Sequence, residues 1–300
     1  MRCAVVDLGS NTIRMSVYDE NNHNFRHILS EKEVIGLLGY TANGVLSEDG
    51  IVRVVNTLKG FCETADAINT EKFCCFATAG LRSIKNADEV LKRTKSETGV
   101  DILIISGEEE ARLDFIGAYK PDISEGLVVD MGGGSTEIVR FKGDLIENSI
   151  SLPFGSLFMF RRFVKGIIPV DKEVKQIRHF VAKQLSCVDW LPDSAENICL
   201  IGGTVRAIAR LHKEFYGRQH ELQGYNFEAM DIKRMLNTLL KLENEGAKLL
   251  ISVAPDRIHT IIPGLIGFSQ IIKLSRCKTL TVSRSGVREG FIKELFRKNS

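Results

Sequence analysis

The chain has 300 residues, of which 44% are hydrophobic and 26% charged, and its formal net charge is +2. That length favours two lobes over one small domain, and an average globular composition excludes disordered, collagen-like and coiled-coil chains. No run reaches the ~18 uninterrupted apolar residues of a membrane span, and the opening strand-like run carries Arg2, Cys3 and Asp7 where a signal peptide has its apolar core, so a soluble cytoplasmic chain is expected.

From the N-terminus, Arg2 to Leu8 is a β-branched run that stops at Gly9-Ser10-Asn11, and Thr12 to Tyr18 alternates with period two. This is a strand, a polar turn and a second strand. A turn at Glu20-Asn21-Asn22 leads to a third strand from Phe25 to Glu33. From Ser47, Ile51, Val54, Val55, Leu58, Phe61, Cys62, Ala65 and Ile68 recur on one helical face. Phe73 to Thr78 reads as a buried strand, with Cys74 and Cys75 in the core. Asn86 and Glu89 form a capping-box pattern for a helix to about Thr98, Asp101 to Ser106 is an apolar strand, and Gly107 to Tyr119 is a helix.

At Gly126 the pattern restarts. Val128-Val129-Asp130-Met131-Gly132 repeats Val5-Val6-Asp7-Leu8-Gly9, and an alternating strand from Thr136 to Phe141 again follows the turn, so the chain is internally duplicated. Helices are then expected at Ser156–Phe163 and Asp171–Asp189, followed by a strand at Ile198–Ile201. The turn Gly202-Gly203-Thr204 opens a helix to Phe215. Helices at Asp231–Leu242 and His259–Leu274, a strand at Thr279–Val282 and a helix at Val287–Phe296 complete the chain.

The seven cysteines include no C-x-x-C spacing, which argues for reduced thiols that mostly pack and against a disulfide framework or a zinc site. The histidines at 23, 27, 179, 212, 220 and 259 fall in no metal-ligand spacing and read as structural or solvated. Charge is divided unevenly: residues 1–160 hold 16 Lys+Arg against 24 Asp+Glu, and residues 161–300 hold 24 against 14. One reading is an acidic half that manages metal ions and a basic half that receives a polyanion; the other is two surfaces that attract each other.

A strand that delivers an aspartate into a turn of glycines and hydroxyl residues sets a carboxylate beside exposed backbone N–H groups. The N–H groups suit phosphate oxygens and the carboxylate suits a metal or its water. Asp7-Leu8-Gly9-Ser10-Asn11-Thr12 is one such unit, and Asp130-Met131-Gly132-Gly133-Gly134-Ser135-Thr136 is another, in which three glycines admit a close approach to the main chain.

With these two turns, Ala77-Thr78-Ala79-Gly80-Leu81-Arg82, Ser106-Gly107-Glu108-Glu109-Glu110-Ala111-Arg112, Ser151-Leu152-Pro153-Phe154-Gly155, Gly202-Gly203-Thr204-Val205-Arg206 and Ser285-Gly286-Val287-Arg288-Glu289-Gly290 make the chain closely similar to the exopolyphosphatase and guanosine pentaphosphate phosphohydrolase family. The resemblance runs from residue 5 to about 295. It implies an α/β fold of two duplicated actin-like (ribonuclease H-like) lobes with a catalytic cleft between them. Lobe I would be residues 1–120, rejoined by the C-terminal helix at about 287–300, and lobe II residues 121–286, the short form of the family.

The same resemblance puts Glu110 at the position of the catalytic glutamate that orients or deprotonates the attacking water, with Glu109 as the fallback. An acidic first helical turn is the alternative for both. It makes Asp130 and Glu137 catalytic, holding Mg²⁺ (or another divalent cation) or the lytic water, with Asp7 as a further metal ligand. Solvated strand carboxylates are the alternative. Arg82, read as ending a strand-to-loop turn, would contact phosphate or be an ordinary surface arginine. Ser10, Asn11, Gly132, Gly133, Gly134, Ser135, Gly203 and Thr204 would supply the remaining phosphate contacts, unless Thr204 is only an N-cap.

The expected activity is hydrolysis of the terminal phosphoanhydride of inorganic polyphosphate, with guanosine pentaphosphate as the alternative substrate. A different class, an actin-like ATPase or a sugar kinase, uses the same turns, but the Glu-rich Ser106–Arg112 segment suits activation of water rather than its exclusion. Neither nucleic acid nor membrane is an expected partner; a homodimer is the family expectation. Arg161, Arg162 and Lys165, Arg206 and Arg210, and Arg284 and Arg288 are candidates for a track that carries the rest of a polyphosphate chain.

Overall fold

The same sheet is built twice, because two stretches of sequence repeat one order of strands and turns. The computed structural model describes residues 1–21, 24–118, 120, 123–193 and 195–297. By its internal packing the chain divides into two compact units, Met1–Glu110 with Phe291–Ser300, and Ala111–Gly290.

In the first unit, β1 (Arg2–Leu8), β2 (Thr12–Asn21) and β3 (Asn24–Val34) form an antiparallel meander. Glu20 and Asn21, expected in a turn, extend β2; Asn22 and His23 lie outside the described residues. A two-residue hairpin not anticipated from sequence, β4 (Thr41–Ala42) and β5 (Val45–Leu46), precedes α1 (Glu48–Ala67). Ser47 caps α1 by accepting the Gly50 N–H, and Glu48 and Asp49 complement the helix dipole. Its expected apolar face is buried from Ile51 to Ala65, with Cys62 and Ile68 packed at the edge.

There follow β6 (Lys72–Ala77), the one-turn helix α2 (Ala79–Arg82), α3 (Ala87–Thr98), β7 (Ile102–Ile104) and α4 (Gly107–Gly117). The capping box expected at Asn86 does not form. Its amide instead receives the Leu46 N–H and donates to the Leu46 carbonyl and to Glu89, tying α3 to β5. Strand β7 is shorter than expected, and Tyr119, the expected end of α4, lies outside the described residues. The strand order is β3-β2-β1-β6-β7, with β1, β6 and β7 parallel. Ala4, Val6, Leu8, Ile13 and Met15 pack with the helices on one face. On the other, Phe76 stacks on Phe291 at 4.9 Å.

In the second unit, β8 (Glu125–Met131), β9 (Thr136–Lys142) and β10 (Leu145–Leu152) repeat the meander. They are followed by α5 (Ser156–Phe163), α6 (Asp171–Leu185), β11 (Asn197–Ile201), α7 (Gly203–Tyr216), β12 (Tyr225–Glu228), α8 (Ala229–Leu242), α9 (Asn244–Val253), α10 (Ile261–Ser275), β13 (Thr279–Val282) and α11 (Val287–Arg297), whose residues from Phe291 on belong to the first unit. The order β10-β9-β8-β11-β13-β12 reproduces that of the first unit, strand direction included, with β12 added at the edge. This is the duplicated actin-like, ribonuclease H-like α/β fold.

Two strands and one α-helix of the second unit escaped the sequence reading. β10 is a half-exposed edge strand whose alternation is broken by an irregularity between Ile146 and Asn148. β12 has only four residues. α9 is separated from α8 by Glu243, at φ 44°, which breaks what periodicity would otherwise join. α6 also stops four residues before the expected Asp189.

All seven cysteines are free thiols. Cys75 is buried as expected, whereas Cys74 is only half-buried. Its hydrogen bond with Cys3, helped by Lys72, lowers its pKa to about 7, against the opposing effect of burial.

The second unit also buries His212, whose ring contacts the Tyr225 hydroxyl at 2.8 Å through Nδ1 and Asp231 Oδ2 at 3.1 Å through Nε2. Asp231 Oδ1 accepts from Tyr216 (3.0 Å) and Arg234 (2.9 Å). Asp231 can only accept, so His212 carries a proton on Nε2, and in its neutral form Nδ1 accepts the Tyr225 hydroxyl. Burial pushes its pKa below the ordinary value, against the opposing pull of Asp231. A base with a depressed pKa stabilises the fold while the unfolded histidine is also neutral, and this contribution is lost as pH falls through ~6.5. Thermal stability is therefore expected to drop as pH falls below ~6.5. His212→Gln, which cannot titrate, should flatten that part of the melting-temperature profile.

Candidate active site

The two Asp-bearing turns are built alike. In the second unit Asp130 pairs with Glu137 and Met131 with Thr136, and the tip is closed by the Gly132 N–H on the Ser135 carbonyl at 3.0 Å. In the first, Asp7 pairs with Arg14 and Leu8 with Ile13, and the Gly9 N–H meets the Thr12 carbonyl at 3.1 Å. Directly opposed residues in an antiparallel pair share a face. The second unit thus sets two carboxylates side by side, while the first sets a carboxylate beside a guanidinium.

Helix α5 orients the second turn. The Ser156 N–H and hydroxyl both donate to the Gly132 carbonyl, at 2.9 and 3.0 Å, and the Phe158 N–H donates to the Gly133 carbonyl at 2.9 Å. In a trans peptide the C=O and N–H of one unit point in opposite directions. Anchoring those two carbonyls on α5 therefore turns the N–H groups of Gly133 and Gly134 away from it, in the orientation a phosphate requires. Gly155 makes this approach possible, since a Cβ there would lie 2.5 Å from the Gly132 carbonyl oxygen. Thr136 completes the support by donating its hydroxyl to the Phe154 carbonyl at 2.6 Å.

The turn after β11 meets the same aspartate. Gly202 has φ 98°, and a Cβ on it would sit 2.3 Å from Asp130 Oδ1. Gly202 is also the N-cap of α7, so Thr204 is not; its hydroxyl hydrogen-bonds Ser156 at 2.9 Å. The N-terminus of α7 thus lies beside Asp130, and its free N–H groups and dipole suit an anion.

A residue absent from the sequence reading joins this cluster. Arg257, in the short 3₁₀ turn Pro255–Arg257, lies so close to Gly203 that a Cβ there would be 2.5 Å from its Nη2. Its side chain is 12% exposed. Burial lowers its pKa, and repulsion from Arg210 adds to the effect, while Asp256 and Asp130 oppose it. A lone arginine in a loop looks solvated in sequence, and only the Pro-Asp pair before it hints at an ordered turn.

In the first unit, Arg82 and Glu110, assigned separately from sequence, form a pair. Arg82 ends helix α2 and not a strand-to-loop turn, and its Nη1 donates to Glu110 Oε2 at 2.8 Å and to the Ile105 carbonyl at 3.2 Å. Glu110 is buried at 8% exposure, Glu109 is half-buried and Glu108 exposed. Ser106 accepts the Glu109 N–H at 3.0 Å, which starts α4 and fixes where Glu110 falls. Asn11 is held through its carbonyl by the N–H groups of Ile35 and Gly36, and Gly80 packs on the backbone of Gly9 and Ser10.

Among the described residues no three His, Cys, Asp or Glu side chains gather into an all-protein metal site. Mg²⁺ commonly takes one or two carboxylates, with waters and substrate phosphates completing its shell. The opposed pair Asp130 and Glu137 fits that pattern. Glu137 is buried and accepts the Ser151 hydroxyl at 2.7 Å. Asp7, opposite Arg14, fits it less well, because a guanidinium on the same face disfavours a cation.

The arginines proposed as a track lie in the second unit. Arg162 lies over the rings of Phe158, Phe163 and Phe180 at 5.4–5.7 Å. Arg206 instead donates to the Arg284 carbonyl at 3.4 Å. Among the described residues, no helix is long and apolar enough to cross a membrane.

Aspartate-bearing glycine turns on duplicated sheets mark a protein of the actin-like class. Residues 16–299 match the Ppx/GppA phosphatase family, and the chain belongs to it as a phosphoanhydride hydrolase. It is 25% identical over 302 residues to exopolyphosphatase 1 of Mycobacterium tuberculosis, covering 97% of this chain and 87% of that one. The crystal structure of the Aquifex aeolicus Ppx/GppA family member is 30% identical, covering 100% of this chain and 99% of that one with a TM-score of 0.82. An exopolyphosphatase from Cytophaga hutchinsonii shares the fold at 22% identity and a TM-score of 0.88, over 99% and 98% of the two chains.

Gly202→Ala tests the packing at Asp130. The methyl group would displace the carboxylate, so kcat/KM is expected to fall by ~10² or more while far-UV circular dichroism stays unchanged.

Proposed function

We propose that the chain hydrolyses the terminal phosphoanhydride bond of inorganic polyphosphate and releases orthophosphate. The observation that carries this reading is the buried Glu110 carboxylate held at 2.8 Å by Arg82. A carboxylate fixed in this way suits orientation of a lytic water, which a kinase must exclude. The likeness to the mycobacterial exopolyphosphatase over 97% of the chain supports polyphosphate as the substrate.

In this reading Glu110 orients the attacking water and accepts its proton. Arg82 positions Glu110 and donates to an oxygen of the phosphoryl group under attack. The N–H groups of Gly133 and Gly134, with Ser135, Ser10 and Asn11, hold phosphate oxygens, and Gly203, Thr204 and Arg257 hold the next phosphate of the chain. Asp130 and Glu137 would bind Mg²⁺, which when present neutralises charge on the phosphate oxygens. The same reading carries a cytoplasmic homodimer.

Glu110→Gln keeps the shape and removes proton acceptance. Its kcat is expected to fall ~10²–10⁴-fold with little change in KM; retention of more than about a third of wild-type kcat would move the role to Glu109 or Glu137. Asp130→Asn should shift the Mg²⁺ titration of phosphate release upward, because an amide binds a hard cation less well than a carboxylate. Long-chain polyphosphate, tripolyphosphate and guanosine pentaphosphate assayed side by side decide the substrate. Faster turnover of the pentaphosphate would replace polyphosphate in this reading.

A further inference from the structure

A second basic region leads away from the phosphate turn in the larger unit. Helix α7 starts at Gly203, beside Asp130 and Arg257, and its solvent face carries Arg206, Arg210 and Lys213 at intervals of four and three residues. Such spacing keeps them on one stripe. Arg210 lies close enough to Arg257 to repel it. The stripe ends at a cavity of about 620 Å³ lined by Arg210, Lys213, Glu214, Gly217, Arg218, Gln219, Ser252 and Val253. Its far wall, Ser252 and Val253, runs within four residues into the turn that presents Arg257. The cavity and the phosphate turn are therefore connected twice, along α7 and through the end of α9.

The lining identifies the kind of ligand. Three cations face one carboxylate, Glu214, so the cavity favours an anion. No aromatic ring lines it, so it offers no platform on which a nucleobase would stack. Lys213 donates one hydrogen bond to the His220 carbonyl, and an ammonium has three N–H donors. We infer that this cavity holds the distal part of an inorganic polyphosphate chain whose second phosphate lies at the Gly202–Thr204 turn, with Arg210, Lys213 and Arg218 as its phosphate contacts. The inference rests on the polyphosphate reading above and adds to it a determinant of chain length. Ten residues of helix between Gly203 and Lys213 rise about 15 Å. Tripolyphosphate is too short to occupy both ends, and long chains span them.

The test compares wild type with Lys213→Gln/Arg218→Gln on long-chain polyphosphate, tripolyphosphate and guanosine pentaphosphate. Both side chains sit at the surface, and the charge-conserving Lys213→Arg/Arg218→Lys variant controls for local disorder. The expected result is a five- to tenfold rise in KM for the long chain at ~50 mM salt, and a loss of about 1.4 from the slope of log KM against log salt for two lost contacts. Tripolyphosphate and guanosine pentaphosphate should change by less than about twofold, and the charge-conserving variant should restore the long-chain KM. Equal effects on all three substrates, or an unchanged long-chain KM in an enzyme that hydrolyses long chains, would overturn the distal site alone. A wild type inactive on polyphosphate of every length would overturn the substrate reading and the distal site with it.

Discussion

The glycine turn of the second unit depends on where its carbonyls go. Three successive glycines have no side chains to fix them, and their conformational entropy would favour many arrangements. Hydrogen bonds from Ser156 and Phe158 choose one, by holding the Gly132 and Gly133 carbonyls and so aiming the next two N–H groups away from α5. The Ser151–Gly155 segment supports this turn. Leu152 and Phe154 are buried beneath it, Gly155 permits the close approach, and Thr136 binds the Phe154 carbonyl. A strand end, a tight turn and a helix start are thereby locked together, and Asp130 is delivered at a fixed point.

The charged groups around the turns follow from the cost of burial. An isolated buried charge is expensive, so each is expected to have a counter-charge or several donors. Glu110 has Arg82 at 2.8 Å, and Arg257 is drawn to Asp130 and Asp256. Glu137 accepts the Ser151 hydroxyl. Such pairs stabilise a fold only weakly, because desolvation offsets most of the attraction. Their value here is positional: a carboxylate with one oxygen bound has a defined orientation for the other.

The duplication is conserved in geometry and broken in chemistry. Both hairpins place six residues between the opposed side chains and close their tips with the same backbone bond. Opposite the aspartate, one copy has Arg14 and the other Glu137. That single difference gives one aspartate a cationic neighbour and the other an anionic one.

Most of the scaffold was legible in the sequence by itself. Period-two alternation at Thr12–Tyr18 and Thr136–Phe141, the helical face of Ile51 to Ala65, and the repeated Asp-x-Gly turns are local signals that hold wherever the chain goes. The segments around Arg82 and Glu110 were found through their resemblance to the family's motifs. Their pairing was not legible, because 28 residues separate them and only the packing of α2 against the start of α4 brings them together. Arg257 left still less trace, since burial of an arginine depends on surfaces contributed by α7 and α9. The Asn86 capping pattern failed for the same reason: a tertiary partner, Leu46, outbid the local one. Sequence determined what repeats along the backbone, and tertiary structure decided which distant polar groups lose water together.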